Sequence, residues 1–175
     1  DRRQRQMCIR DSKQMAAALQ YLKEHQLFEY DDLAAKTDAA TERFHTLAGV
    51  IQQTEAELSR VSDLMAAVVQ YAKTRPAFDG YKAAKYSRKY LAEHEAELAD
   101  YRAAKATMAE LLGGEKLPKM DVLKEKRRQL AARKKALYLE YRKAQQDMRE
   151  LVAVKGSVDH LRGLTDNPRN KEQAR

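Results

Sequence analysis

The chain has 175 residues, of which 34% are charged, with 6 Gly, 3 Pro, no Trp and a net charge of +8. This profile belongs to long helices and coiled coils rather than to a compact mixed globule. No run of 18 apolar residues is present to span a membrane, and one cysteine, Cys8, excludes an internal disulfide framework and fits a reducing cytoplasm.

The first residue, Asp1, is not a methionine, so the chain is expected to begin inside a longer reading frame. The run Arg5-Gln6-Met7-Cys8-Ile9-Arg10-Asp11-Ser12 looks foreign to the rest of the chain, and residues 1–12 are read as a non-native or disordered start. Residues 13–30 form a short helix and its connector. Ser12 can cap this helix, and Met15, Ala18, Leu19 and Leu22 give it an apolar face. Asp31 and Asp32 then put negative charge where the dipole of a second helix favours it.

Residues 31–75 read as one long heptad helix. Its seam is Leu33, Thr37, Ala40, Phe44, Leu47, Ile51, Thr54, Leu58, Val61, Met65, Val68 and Ala72, alternating steps of four and three. Random apolar placement rarely holds one frame for so long. Thr74-Arg75-Pro76 is expected to break the helix, because proline lacks the amide that a helix interior needs, and Asp79-Gly80 adds a second interruption. Residues 76–118 are therefore read as a broken helical cap, containing a third helix from about Ser87 to Leu112 that Gly113-Gly114 ends.

Residues 119–163 hold a second long heptad helix. Leu123, Leu130, Leu137, Ala144, Leu151 and Val158 recur every seven residues, and Met120, Tyr141 and Met148 fill part of the neighbouring row. At about 1.5 Å per residue such a helix is on the order of 60 Å long, and its apolar stripe needs a partner. Residues 164–175 are polar after Asp166-Asn167-Pro168 and are read as a disordered tail. The expected fold is all-α: an elongated antiparallel helical hairpin or coiled coil with a helical cap. A bundle in which the third helix runs back along the second, and pairing of the seams between molecules, are the alternatives.

The positive charge is uneven. Residues 31–75 carry 5 basic and 7 acidic side chains, residues 76–118 carry 7 of each, and residues 119–162 carry 13 basic and 6 acidic. Lys124, Arg128, Lys135, Arg142 and Arg149 fall on one side of the second long helix, beside its seam. Arg127 and Lys134 fall on the seam itself, where they can bury their stems and keep their charge in water. Lys126 and Arg133 add a further row. A second basic patch, Lys82, Lys85, Arg88 and Lys89, is interleaved with Tyr81, Tyr86 and Tyr90. Cations at intervals along a helix are what phosphate contact requires, and such contact carries no sequence specificity. Tyrosines among them would add base stacking on a single strand. A solvated face that only discourages misregistered partners has the same composition.

No catalytic constellation is legible. His25, His45, His94 and His160 stand at no metal-ligand spacing. Gly113-Gly114 is followed by no Lys-Ser/Thr pair of a phosphate loop. Tyr86 and Tyr90 have no metal or electrophilic clamp to make them nucleophiles. The chain is expected to be non-catalytic, without metal or cofactor.

An ordered set of short motifs carries a resemblance. Tyr21-Leu22-Lys23-Glu24-His25 is followed by Tyr30-Asp31-Asp32-Leu33, then by Tyr71-Ala72-Lys73-Thr74-Arg75 and Tyr81-Lys82-Ala83-Ala84-Lys85-Tyr86-Ser87. Glu93-His94-Glu95 and Tyr101-Arg102-Ala103-Ala104-Lys105 come next, then Lys116-Leu117-Pro118, Tyr138-Leu139-Glu140-Tyr141-Arg142-Lys143-Ala144 and Met148-Arg149-Glu150-Leu151, with Val154-Lys155 to Leu161 at the end. From about Ser12 to Gly163 this order resembles the C-terminal helical region of relaxases, the mobilisation nucleases of conjugative elements, chiefly of the Firmicutes type. In that family a separate N-terminal domain nicks DNA with a catalytic tyrosine and a histidine-bound metal. Neither its H-x-H pattern nor its mixed α/β pattern occurs here, so the resemblance implies a non-catalytic bacterial, cytoplasmic region that contacts DNA, single- or double-stranded, or a protein of the transfer machinery. The alternative is a structural or dimerisation coiled-coil spacer without nucleic-acid binding.

Overall fold

The computed structural model describes residues 2–165. Five helices succeed one another: α1 (Arg2–Glu24), α2 (Tyr30–Ala83), α3 (Arg88–Glu93), α4 (Glu95–Leu112) and α5 (Met120–Thr165). There is no strand among the described residues, so the fold is all-α. The chain divides into two compact units, residues 1–50 with 137–175, and residues 51–136, and α2 and α5 each contribute a segment to both. Of the tail read as disordered, residues 166–175 lie outside the described residues, whereas Leu164 and Thr165 are the last residues of α5.

In the first unit, Ala18 of α1, Leu27 of the connector, Leu33 of α2, and Leu151 and Val154 of α5 form one buried cluster, with Tyr21, Leu22, Ala40 and Val158 against it. Phe44 stacks on Tyr141 with ring centroids 4.9 Å apart. Early α2 residues thus meet late α5 residues, and the two segments lie antiparallel. Seam threonines are tolerated because their hydroxyls bond back to their own helix: Thr37 Oγ1 donates to the Leu33 carbonyl at 2.7 Å.

The start of the chain departs from expectation. Residues 2–12 are helical turns of α1, with every side chain exposed. Ser12 is not a cap: its hydroxyl donates to the Cys8 carbonyl at 2.8 Å, which leaves the helix continuous. No glycine or proline interrupts residues 2–24. The helix ends in a Schellman motif, with Gln26 left-handed at φ 54° and the Leu27 amide donating to the Leu22 carbonyl at 2.9 Å.

A polar clasp closes the open end of this unit. The Tyr30 hydroxyl donates to Asp159 at 2.5 Å, Lys155 pairs with the same carboxylate at 2.9 Å, and the Arg162 guanidinium lies 3.8 Å from the Tyr30 ring centroid. The Tyr30 hydrogen bond, then that of Lys155, holds the Asp159 carboxyl below the usual carboxylate range. A depressed carboxylate contributes stability above its unfolded pKa of about 3.9, and that stability is lost as pH falls through the folded value. Asp159→Asn should therefore lower the melting temperature at neutral pH, and the gap from the native chain should close below about pH 4. Melting curves that stay parallel through that window would remove the clasp from the stability account.

In the second unit, Val61, Leu64 and Met65 of α2 pack with Leu123 and Leu130 of α5, and Met108, Leu111, Leu112 and Leu117 join them. Glu57 pairs with Lys126 and Glu55 with Lys134, so α2 and α5 are antiparallel here too. Residues 76–118 hold the end of α2, then α3 and α4. The first eight continue α2, and α4 runs back along it: Tyr101 stacks on Tyr71 and Phe78, Gln70 donates to Asp100, and Arg60 donates to the Leu111 carbonyl. This is the alternative in which the third helix returns along the second.

The expected break at Pro76 does not occur. A helix-interior proline costs about 3 kcal/mol, but Thr74 and Ala77 on either side are buried. Phe78 stacks on Tyr101 at 4.3 Å and the Tyr90 hydroxyl donates to the Ala77 carbonyl at 2.9 Å, so tertiary packing holds the helix through the local penalty. The same third helix displaces the end of the seam. Ala72 is exposed, and burial moves to Leu64, Ala67, Thr74 and Ala77, because α4 widens the covered face of α2. Ser87 accepts from the Tyr90 amide as the cap of α3, and Gly113, left-handed at φ 55°, ends α4.

Candidate nucleic-acid interface

The N-terminal part of α5, in the second unit, carries the densest positive charge. Leu123 and Leu130 are buried against α2, which turns the side chains at other helical angles outwards. Lys126 and Lys134 reach α2, with Nζ 3.8 Å from Glu57 and 3.3 Å from Glu55. Lys134 is half-buried, as a basic residue on a seam should be. Arg127, the other basic residue expected on the seam, is exposed: with no carboxylate paired to it among the described residues, burial of its charge would be costly.

Arg128 is committed within its own helix. Its Nε and Nη2 donate to both Glu125 oxygens at 2.9 and 2.7 Å. The bidentate contact, then a bond from Gln129, draws the Glu125 carboxyl down, and Glu125 raises the guanidinium. Lys124, Arg127, Arg133 and Lys135 are exposed and make no ion pair among the described residues. Their positive field is thus available to a ligand. In the first unit Arg142 is exposed in the same way, while Phe44, Leu47, Leu137, Tyr141, Met148 and Leu151 are buried or half-buried; Ile51, Leu58, Val61 and Met65 are so in the second.

The second basic patch occupies the end of α2 and the turn into α3. The Lys85 amide donates to the Lys82 carbonyl at 2.9 Å and the Tyr86 amide to the Tyr81 carbonyl at 3.0 Å, a Schellman closure. Glycine is the usual residue at the left-handed position, but Lys85 holds it at φ 54°, and Tyr86 is left-handed as well at φ 59°. Tyr86 packs at 89° to Tyr81, Tyr90 stacks on His94 at 4.0 Å, and the Lys82 ammonium lies 5.3 Å from the Phe78 ring centroid. Lys82, Lys85, Arg88 and Lys89 are all exposed. The left-handed pair had no sequence signal, since the one expected there is a glycine.

Elsewhere, a groove of about 990 Å³ runs between α1 and α5 in the first unit, and Ala17, Ala18, Ala153, Gly156, His25 and His160 are among the residues that line it. No cluster of three or more His, Cys, Asp or Glu side chains that could hold a metal occurs among the described residues. No helix among them is long and apolar enough to cross a membrane. Comparison with protein-family models, with curated proteins and with solved structures returned no match to this chain.

Proposed function

We propose that this chain is a non-catalytic helical region of a relaxase acting in conjugative DNA mobilisation in a bacterial cytoplasm, and that it holds DNA by its phosphates along α5. The observation that carries the reading is the set Lys124, Arg127, Arg133 and Lys135, exposed and without ion pairs among the described residues. Cations left unpaired beside a helix seam add nothing to the core, whereas they suit a polyanion whose charges recur at short intervals. The ordered motifs from Tyr21 to Leu151 support the assignment to the relaxase tail.

Triple charge reversal, Lys124→Glu, Arg127→Glu and Lys135→Glu, tests it by fluorescence anisotropy with labelled DNA of several unrelated sequences. Affinity should fall at least about tenfold on every sequence alike, and the dependence of log affinity on log salt should become shallower. Arg128 is left in place because its guanidinium is already bound to Glu125. Equal affinity of native and reversed chains would favour the second reading, a spacer or self-associating coiled coil. That reading is supported by the inter-helix pairs Lys126–Glu57 and Lys134–Glu55, in which basic residues serve helix pairing.

A further inference from the structure

The turn from α2 into α3 combines three features, of which the Schellman closure itself requires only the left-handed residue at Lys85. Its left-handed residues are Lys85 and Tyr86 rather than glycine. A bulky residue there carries a conformational cost, which persists only where the surroundings impose it. Tyr86 stays 58% exposed, although a tyrosine could have been turned inwards. The Tyr81 ring beside it lies perpendicular, an arrangement that covers at most one of the two faces of Tyr86. Around it stand Lys82, Lys85, Arg88 and Lys89, all exposed and in no ion pair among the described residues; the nearby Asp79 is taken up by Arg75 at 3.9 Å.

An open aromatic face amid cations fits an unstacked base with its flanking phosphates. Duplex DNA keeps its bases stacked on one another and offers no face to such a ring, so the complementary ligand is a single strand. We infer that the α2–α3 turn is a single-stranded DNA contact, in which Tyr86 stacks on a base while Lys82, Lys85, Arg88 and Lys89 hold the adjoining phosphates. The inference rests on the proposed nucleic-acid function and narrows its substrate. α5 supplies phosphate contact of any strandedness, and the turn supplies preference for unpaired DNA. Tyr86 is also the apolar partner of Tyr81 in the Schellman closure, so it is replaced by residues that keep that contact.

Tyr86→Leu keeps an apolar side chain against Tyr81 but removes the π face, and Tyr86→Phe keeps both. On a single-stranded oligothymidine of about 20 nucleotides, Tyr86→Leu should weaken binding by about fivefold to twentyfold and Tyr86→Phe should not. On a duplex of the same length, neither should change affinity. Because the chain has no tryptophan, Tyr86→Trp would place its only indole in the turn, and its emission should be quenched by oligothymidine and not by duplex. Circular dichroism melts of each variant separate loss of fold from loss of contact.

Unchanged oligothymidine binding by Tyr86→Leu, with charge reversal on α5 still weakening it, would overturn the stacking contact and leave the α5 reading standing. Equal losses on single strand and duplex would also overturn it, because they mark a charge or folding effect. A native chain that binds neither DNA would overturn both readings together.

Discussion

Leu33→Ala should cost about 2–5 kcal/mol of unfolding free energy, the range for emptying a filled leucine site. Leu33 is 1% exposed and lies in a cluster to which α1, the connector, α2 and α5 all contribute, through Ala18, Leu27, Leu151 and Val154. The smaller neighbours on α1 have little side chain with which to fill the vacancy, so the cavity should persist and the loss should sit high in the range. Urea unfolding monitored by helical signal measures it, with Leu139→Ala as control. Leu139 is 62% exposed, and its truncation should change stability by no more than about 0.5 kcal/mol. A Leu33→Ala cost comparable with that control would mean that α1 and the connector do not seal the cluster.

Gly80→Ala should destabilise the chain by about 1–3 kcal/mol, against the usual sign. Within a helix, replacing glycine by alanine ordinarily gains about 1 kcal/mol. At this position a Cβ would collide with the Tyr90 phenol oxygen and lie 2.9 Å from its Cζ. Tyr90 cannot easily retreat. Its hydroxyl is bonded to the Ala77 carbonyl at 2.9 Å and its ring stacks on His94. A double-mutant cycle with Tyr90→Ala isolates the cause. In the Tyr90→Ala background, Gly80→Ala should recover its normal stabilising sign, giving a coupling of about 2–4 kcal/mol between the two sites. A gain in stability for Gly80→Ala alone would show that Tyr90 does not cross over the helix at this point.

The helical seams were legible because a heptad repeat is a property of the sequence itself. Leu123, Leu130, Ala144 and Leu151 are buried where their spacing puts them. Pro76 misled because its penalty is local, whereas the burial of Thr74 and Ala77 and the stacking of Phe78 come from a helix further along the chain. Ala72 misled for the same reason: a two-helix repeat cannot register the arrival of a third. The ends of α1 and α2 carry no glycine at their left-handed residues, Gln26 and Lys85, so the standard signal for a helix terminus was missing at both. The basic residues of α5 were visible individually. Their division into those bound by Glu55, Glu57 and Glu125 and those facing water depends on partners that only folding brings near.

The return of α4 along α2 bears on how the long helices find their alignment. A heptad seam looks much the same after a slide of seven residues, so α2 and α5 taken alone have several nearly equivalent frames in which to meet. Met108, Leu111 and Leu112 place the end of α4 against the cluster around Val61 and Leu64, and only a short connector separates that end from Met120. α4 therefore acts as a ruler: it measures out the point on α2 at which α5 begins, and so singles out one frame of the seam.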